Sequence, residues 1–167
     1  MKLFLVGFMG AGKTTVGRVL ADRLSIPFFD LDELIESAEQ MSIKRIFDEK
    51  GEPYFRKREH DLLQTTRFLE RGVVATGGGT FAFDENIQLI RSVGLSIYLA
   101  APLPLLLSRI NDKREARPLF RDDLAARDLF LHRLKYYRMA DMTLDLRENQ
   151  SPEEIAENLL TLVSSDR

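Results

Sequence analysis

Eight residues near the amino terminus have the types and spacing needed to hold a polyphosphate. Gly7-Phe8-Met9-Gly10-Ala11-Gly12-Lys13-Thr14 is a complete G-x-x-x-x-G-K-[ST] string, with the apolar run Leu3-Phe4-Leu5-Val6 before it and a helical pattern after it. That context matters, because the string counts as a phosphate site only where a strand feeds it and a helix leaves it. Glycines let the backbone wrap until successive N–H groups point inward at phosphate oxygens, and the helix adds the positive end of its dipole. Lys13 would reach the β- and γ-phosphates, and the Thr14 hydroxyl would ligate Mg²⁺. The alternative is a glycine-rich turn that matches by accident, and the flanking strand and helix weigh against it.

Further clusters carry chemical options. Asp30-Leu31-Asp32 follows the apolar pair Phe28-Phe29. In extended chain a spacing of two puts both carboxylates on one face, so one could hold Mg²⁺ through its waters while the other accepts a hydroxyl proton. The plainer alternative is that one of them caps a helix beginning at Glu33. Between Glu52 and Glu59, Arg56, Lys57 and Arg58 sit in the first turns of a helix, where positive charge opposes the dipole. A guanidinium aimed at an anionic substrate accounts for that placement, its two parallel N–H groups fitting a carboxylate. An exposed face paired with Glu52 and Glu59 is the alternative, and spacing does not choose between Arg56 and Arg58. Gly77-Gly78-Gly79 allows backbone N–H groups to approach a ligand closely.

The stretch from Arg109 to Pro118 is too polar for a core. It reads as a lid that closes over a triphosphate and supplies a cation, or as a solvated loop. A phosphate-transfer enzyme must exclude water, which makes a lid expected here. His60 and His132 show no ligand spacing and read as ordinary helix residues.

The elements that position these residues alternate. Leu3 to Val6 is apolar at every position, as strands of parallel sheets are. Val16, Val19, Leu20 and Leu24 recur at helical spacing until Pro27 forbids continuation, and Phe28-Phe29 is a second strand. Ser42 to Lys50 predicts a serine-capped helix with Gly51 beyond it, and a helix with Pro53 near its start runs to Gly72. Val73 to Thr76 is a third strand, Asp84 caps a helix that Gly94 ends, and Leu95 to Leu99 is a fourth strand. Pro102 to Ile110 and Leu124 to Arg138 read as helices, followed by a strand at Met142 to Leu146. A last helix opens with the capping box Ser151-Pro152-Glu153-Glu154. Alternation of this kind implies a parallel sheet covered on both faces, with its sites at the carboxyl ends of the strands.

At 167 residues the chain has room for one well-filled core and not for two comfortable domains, so residues 1–167 are expected to form one domain. A net charge of −2 argues against nucleic acid as a main partner. With no cysteine there are no disulfides and no thiolate metal sites. The first apolar run stops at Gly7, too short for a signal-peptide core, and no stretch reaches membrane-spanning length. A cytoplasmic monomer with no membrane partner is the expectation.

Taken in order, the phosphate loop, Asp30-x-Asp32, Phe47-x-x-x-Gly51-Glu52-x-x-Phe55-Arg56-x-x-Glu59, Gly77-Gly78-Gly79, Arg117-Pro118-Leu119 and Arg133-x-x-x-Tyr137 resemble the shikimate kinase family along nearly the whole chain. The resemblance implies an α/β three-layer fold of the nucleoside-monophosphate-kinase-like P-loop class. It would have a five-stranded parallel sheet, a substrate-binding insertion at about residues 31–72 and a lid at about 110–125. It also implies the reaction, ATP phosphorylating the 3-hydroxyl of shikimate on the way to aromatic amino acids, with one Mg²⁺. By position, Gly10, Ala11, Gly12, Lys13, Thr14 and Thr15 would cradle ATP, with Arg109, Arg117 and Pro152 also on the nucleotide. Thr14 and Asp30 would serve the metal. Asp32, Arg56, Gly77, Gly78, Gly79 and Arg133 would bind shikimate, and Lys13, Asp32 and Arg117 would carry catalysis.

Two departures stand out. Phe120 follows Leu119 where the family usually has a second leucine. Anchoring on Ala140-Asp141 instead would put His132 and Tyr136 in the Arg133 and Tyr137 places. Arg133 is preferred because a neutral imidazole clamps a carboxylate poorly. A related kinase for a small acid such as gluconate is the second reading. A nucleotide-responsive module without turnover is the third, although no Asn-Lys-x-Asp base-reading motif is present.

Overall fold

The computed structural model describes residues 1–111 and 122–165. Strand β1 (Lys2–Val6) leads through the phosphate-loop segment into helix α1 (Lys13–Leu24), and β2 (Phe28–Asp30) follows. Three helices then succeed one another: α2 (Leu31–Glu39), α3 (Ile43–Lys50) and α4 (Glu52–Thr65). After a 3-10 turn at Thr66–Phe68 come β3 (Gly72–Ala75), a second such turn at Thr80–Ala82, α5 (Asp84–Val93) and β4 (Leu95–Ala100). Helices α6 (Leu103–Asn111) and α7 (Asp123–Tyr137), strand β5 (Met142–Asp145) and helix α8 (Pro152–Ser165) complete the order.

The strands form one parallel sheet in the order β2-β3-β1-β4-β5. β1 lies at its centre, pairing Leu3 with Val73 on one side and with Leu95 on the other. Leu3, Phe4, Leu5 and Val6 are wholly buried, because helices cover both faces of the sheet. The chain leaves β1 toward β2 and later crosses back to β4. The carboxyl end of β1 is therefore the switch point where an open α/β sheet leaves a crevice. Helix α1 can lie close to the sheet because Gly17 has no side chain: a Cβ there would sit 2.6 Å from the Phe28 ring.

Three local expectations need correction. The helix opened by Pro53 ends at Thr65, not at Gly72. The adjacent Thr65 and Thr66 hydroxyls donate to the carbonyls of Leu62 and Leu63, tightening the last turn into a 3-10 turn. Asp84 lies inside α5, whose cap position is Phe83, and its side chain makes no capping bond. Its charge instead favours the positive end of the helix. The helix read as beginning at Glu33 begins at Leu31, as α2, with Asp30 at its cap. The other caps form as read: Ser42 accepts from the Arg45 N–H, and Ser151 and Glu154 bond reciprocally. Among the described residues, no helix is long and apolar enough to cross a membrane.

Candidate active site

The phosphate loop holds its shape through residues that only glycine tolerates well. Gly10 and Gly12 have φ of 83° and 94°, the left-handed region in which a side chain is strained. Lys13 folds back over the loop, donating from Nζ to the carbonyls of Gly7 at 2.7 Å and Phe8 at 3.0 Å. Arg109, reaching over from α6, donates to the Gly10 carbonyl at 2.9 Å. Gly10 to Thr15 line a cavity of about 590 Å³, and Arg109 and Pro152 line it too. Gln150 and Ile155, beside Pro152, also border it and were not singled out in the sequence.

Asp30 and Asp32 both face this cavity, but not as an extended pair. Asp30 ends β2 and caps α2, its Oδ1 accepting from the N–H groups of Asp32 at 2.9 Å and Glu33 at 3.2 Å. Its Oδ2 accepts from the Thr14 hydroxyl at 2.5 Å. Capping and placement beside the loop are thus two uses of one carboxylate. Asp32 sits in the first turn of α2, where burial first, then the negative charges of Glu59 and Asp30, push its pKa up to about 7. Lys13 and Arg56 pull in the opposite direction. A carboxyl poised near neutrality beside a phosphate loop suits the acceptance of a hydroxyl proton.

The two basic candidates of α4 separate. Arg58 donates to Glu39 at 2.6 Å, and Lys50 and Tyr54 reach the same carboxylate at 2.7 and 2.8 Å. That knot ties α2, α3 and α4 together. Arg56 turns inward with its side chain 14% exposed, bonding Glu52 at 3.2 Å and Glu59 at 2.9 Å. The pairing read as an exposed face is therefore real, but only its Glu52 side is exposed; its Glu59 side is buried. Glu59 is wholly buried and also accepts from the Thr80 hydroxyl at 2.5 Å.

Arg133 arrives from α7, 4% exposed, with one guanidinium nitrogen, Nη1, that has no hydrogen-bond partner among the described residues. Burial, aided by the nearby Arg56 charge, lowers its pKa from the ordinary arginine value. A Cβ on Gly79 would lie 2.6 Å from Arg56 Nη2 and 2.8 Å from Arg133 Nη2, so both guanidinium groups converge on this glycine. Two like charges drawn together out of water, only one of them paired with Glu59, are suited to receive an anion. His132 is exposed, its ring edge-on to Tyr136, whereas Tyr137 is buried and donates to the Gly78 carbonyl. The Arg133 register is thus the one that faces the glycine loop. Gly77 and Gly78 border the cavity, with Asp32 Oδ1 3.0 Å from where a Gly77 Cβ would be.

Ile43, Phe47 and Phe55 give the cavity an apolar wall, the two rings 4.7 Å apart. The deep carboxylate of Glu59 escaped the sequence reading as a functional residue, although its place three residues after Arg56 on a helix was the available signal. Arg117, Phe120 and most of the expected lid fall at residues 112–121, outside the described residues. His60 bonds Asn86 at 2.6 Å and Gln64 at 2.8 Å, away from any metal-like cluster. Among the described residues, no group of three or more His, Cys, Asp or Glu side chains could hold a metal alone. The oxygens of Thr14 and Asp30 suit a hard cation that takes most of its ligands from phosphate and water, as Mg²⁺ does.

Comparison with known proteins agrees with this geometry. The shikimate kinase family profile matches residues 9–164. Shikimate kinase of Aquifex aeolicus (strain VF5) is 38% identical over 161 residues, covering 96% of this chain and 94% of the relative. A structure of shikimate kinase from Acinetobacter baumannii in complex with shikimate superposes with a TM-score of 0.92 at 36% identity, covering 99% of this chain and 94% of that one. A gluconokinase from Sinorhizobium meliloti 1021 shares the fold alone, with a TM-score of 0.63 at 14% identity over 98% of this chain and 91% of its own. By profile, by sequence identity and by superposition, this chain belongs to the shikimate kinase family.

Proposed function

We propose that the protein transfers the γ-phosphoryl group of ATP to the 3-hydroxyl of shikimate, giving shikimate 3-phosphate and ADP for aromatic amino acid synthesis. The observation that carries this reading is the convergence of Arg56 and the buried Arg133 on Gly79. That pair supplies a clamp for one carboxylate beside the glycine loop that borders the cavity. A small cyclic acid held there would present its hydroxyls toward Asp32 and toward the phosphates.

In this reading the loop amides and Lys13 hold the triphosphate, with Arg109 and Pro152 on the nucleotide side. Asp32 orients the acceptor hydroxyl and takes its proton as the oxygen–phosphorus bond forms and the bond to ADP breaks. Arg117 is assigned to the developing charge from the lid. Thr14 and Asp30 would hold Mg²⁺, which supplies charge neutralisation on the phosphates when bound. Glycines 77 to 79 offer N–H groups to the acceptor. Residues 31–72 act as the substrate-binding insertion and residues 110–125 as the lid of one domain, working as a cytoplasmic monomer on ATP and shikimate without nucleic acid or membrane.

The test is ADP formation from ATP and Mg²⁺ with shikimate, gluconate or no acceptor. Turnover with shikimate alone is expected. Acceptor-independent hydrolysis, or equal turnover with gluconate, would overturn the assignment.

A further inference from the structure

We propose that Tyr137 is a positioning residue for the acceptor: its hydroxyl fixes the Gly78–Gly79 peptide and the Arg133 guanidinium in the arrangement that receives a carboxylate. The inference rests on the function proposed above and deepens it. Tyr137 lies four residues after Arg133 on α7, one turn along the same face. It is wholly buried and donates its hydroxyl hydrogen to the Gly78 carbonyl, across 59 positions of sequence. Burial raises its pKa, so the phenol keeps the proton it donates. The Arg133 guanidinium lies against the same glycine, its Nη1 3.5 Å from where a Gly78 Cβ would sit.

The consequence follows from the peptide plane. A trans peptide points its C=O and the following N–H in opposite directions, and no cis bond occurs among the described residues. Drawing the Gly78 carbonyl toward Tyr137 therefore turns the Gly79 N–H the other way. The neighbouring carbonyls are also engaged: Gly77 accepts from the Thr80 N–H at 3.2 Å, and Gly79 from the Ala82 N–H at 3.0 Å. Among the described residues, the N–H groups of Gly77, Gly78 and Gly79 have no acceptor. The loop is thus held by its oxygens and presents its donors, at the glycine where Arg56 and Arg133 meet. The height of the Tyr137 hydroxyl is set by the sheet, because its ring stacks on Tyr98 of β4 with centroids 5.3 Å apart.

A purely structural tyrosine would lower the melting temperature and move the kinetic constants for both substrates together, or neither. A positioning tyrosine moves only those for the acceptor. Tyr137→Phe keeps the ring and its stacking and deletes the donor. We expect its KM for shikimate to rise roughly tenfold, the scale of one buried hydrogen bond, with the KM for ATP changed by less than about twofold. Ile97→Val, a packing loss in the neighbouring strand, should move neither KM. Restoring a donor at position 137 with 4-aminophenylalanine should recover shikimate affinity, and this variant separates lost positioning from lost folding.

The methyl ester of shikimate completes the test. Wild-type enzyme should bind it more weakly than the acid, and Tyr137→Phe should add no further loss. An unchanged shikimate KM in Tyr137→Phe, an equal rise in both KM values, or the same fold-loss with ester as with acid would each overturn the role of Tyr137 while leaving the kinase assignment intact. Wild-type enzyme that used the ester as well as the acid would overturn the carboxylate clamp, and the role of Tyr137 with it.

Discussion

The Thr14 hydroxyl donates to one carboxylate oxygen of Asp30, while the other oxygen of that carboxylate caps helix α2. One side chain thereby joins the phosphate loop to the helix that carries Asp32. Asparagine can still cap, but it lacks the charge that would serve a cation. Asp30→Asn should therefore melt near wild type while needing more Mg²⁺ for half-maximal activity. Asp30→Ala should also lose about 1 kcal/mol of stability, the usual scale for a lost cap. Chemical denaturation of the two variants, with Mg²⁺ titrations of activity, distinguishes these effects. Equal stability losses would contradict the capping role.

Asp32 carries a pH signature. Its pKa is 3.8 as the ordinary value and about 7 in the folded chain, raised mainly by burial. Across that window the folded chain holds a proton that the unfolded chain has lost, so this group's contribution to stability falls as pH rises and levels off above about 7. Asp32→Asn should consequently melt higher than wild type at pH 8, with the gap closing by pH 4. The wild-type kcat/KM for shikimate should rise through neutrality as the carboxylate ionises, and the variant should lack that rise. A melting difference independent of pH would contradict the burial of this carboxylate.

The convergence on Gly79 leaves no room for a methyl group. Gly79→Ala would place a carbon within 2.8 Å of three guanidinium nitrogens of Arg56 and Arg133. The atoms nearest such a carbon belong to the two arginines and not to Gly10–Thr15 of the phosphate loop. Shikimate affinity should fall at least roughly tenfold, with ADP affinity unchanged, as read by calorimetric titration of each ligand. Equal losses for both ligands would point to general unfolding instead.

Much of this fold was legible because its signals are local. The all-apolar run Leu3–Val6, the glycines of the phosphate loop and the serine caps at Ser42 and Ser151 each act over a few residues. Long-range geometry was not legible. Arg56 and Arg58 occupy equivalent places in the sequence pattern. Only the packing of α2 against α4 assigns one to Glu39 and leaves the other facing the site. The bond from Tyr137 to Gly78, and the meeting of both arginines at Gly79, exist only once α7 is laid beside the glycine loop. The end of α4 was misread because two threonine hydroxyls, not a glycine, stop it.

The Glu39 knot gives a contrasting phenotype. Hydrogen bonds from Lys50, Arg58 and Tyr54 hold the Glu39 pKa at about 2, below its ordinary 4.5. Its stabilising contribution is therefore complete above pH 4.5 and lost as pH falls through about 2. Glu39→Gln should melt below wild type at pH 7, with the gap narrowing in acid. Arg58→Ala should likewise lose stability at pH 7 more than it loses shikimate affinity, the reverse of Arg56→Ala. Thermal melts against pH, paired with shikimate titrations, check both. A greater affinity loss in Arg58→Ala than in Arg56→Ala would reverse their assignments.

The most direct test of the carboxylate clamp is shikimate binding to Arg133→Met, measured by calorimetry beside a thermal melt. Methionine keeps much of the volume and removes a buried positive charge that has no salt-bridge partner among the described residues. The folded chain should be at least as stable as wild type, while shikimate affinity should fall roughly a hundredfold, the scale of a lost charge-assisted hydrogen bond. Wild-type affinity in a stable Arg133→Met protein would contradict the account.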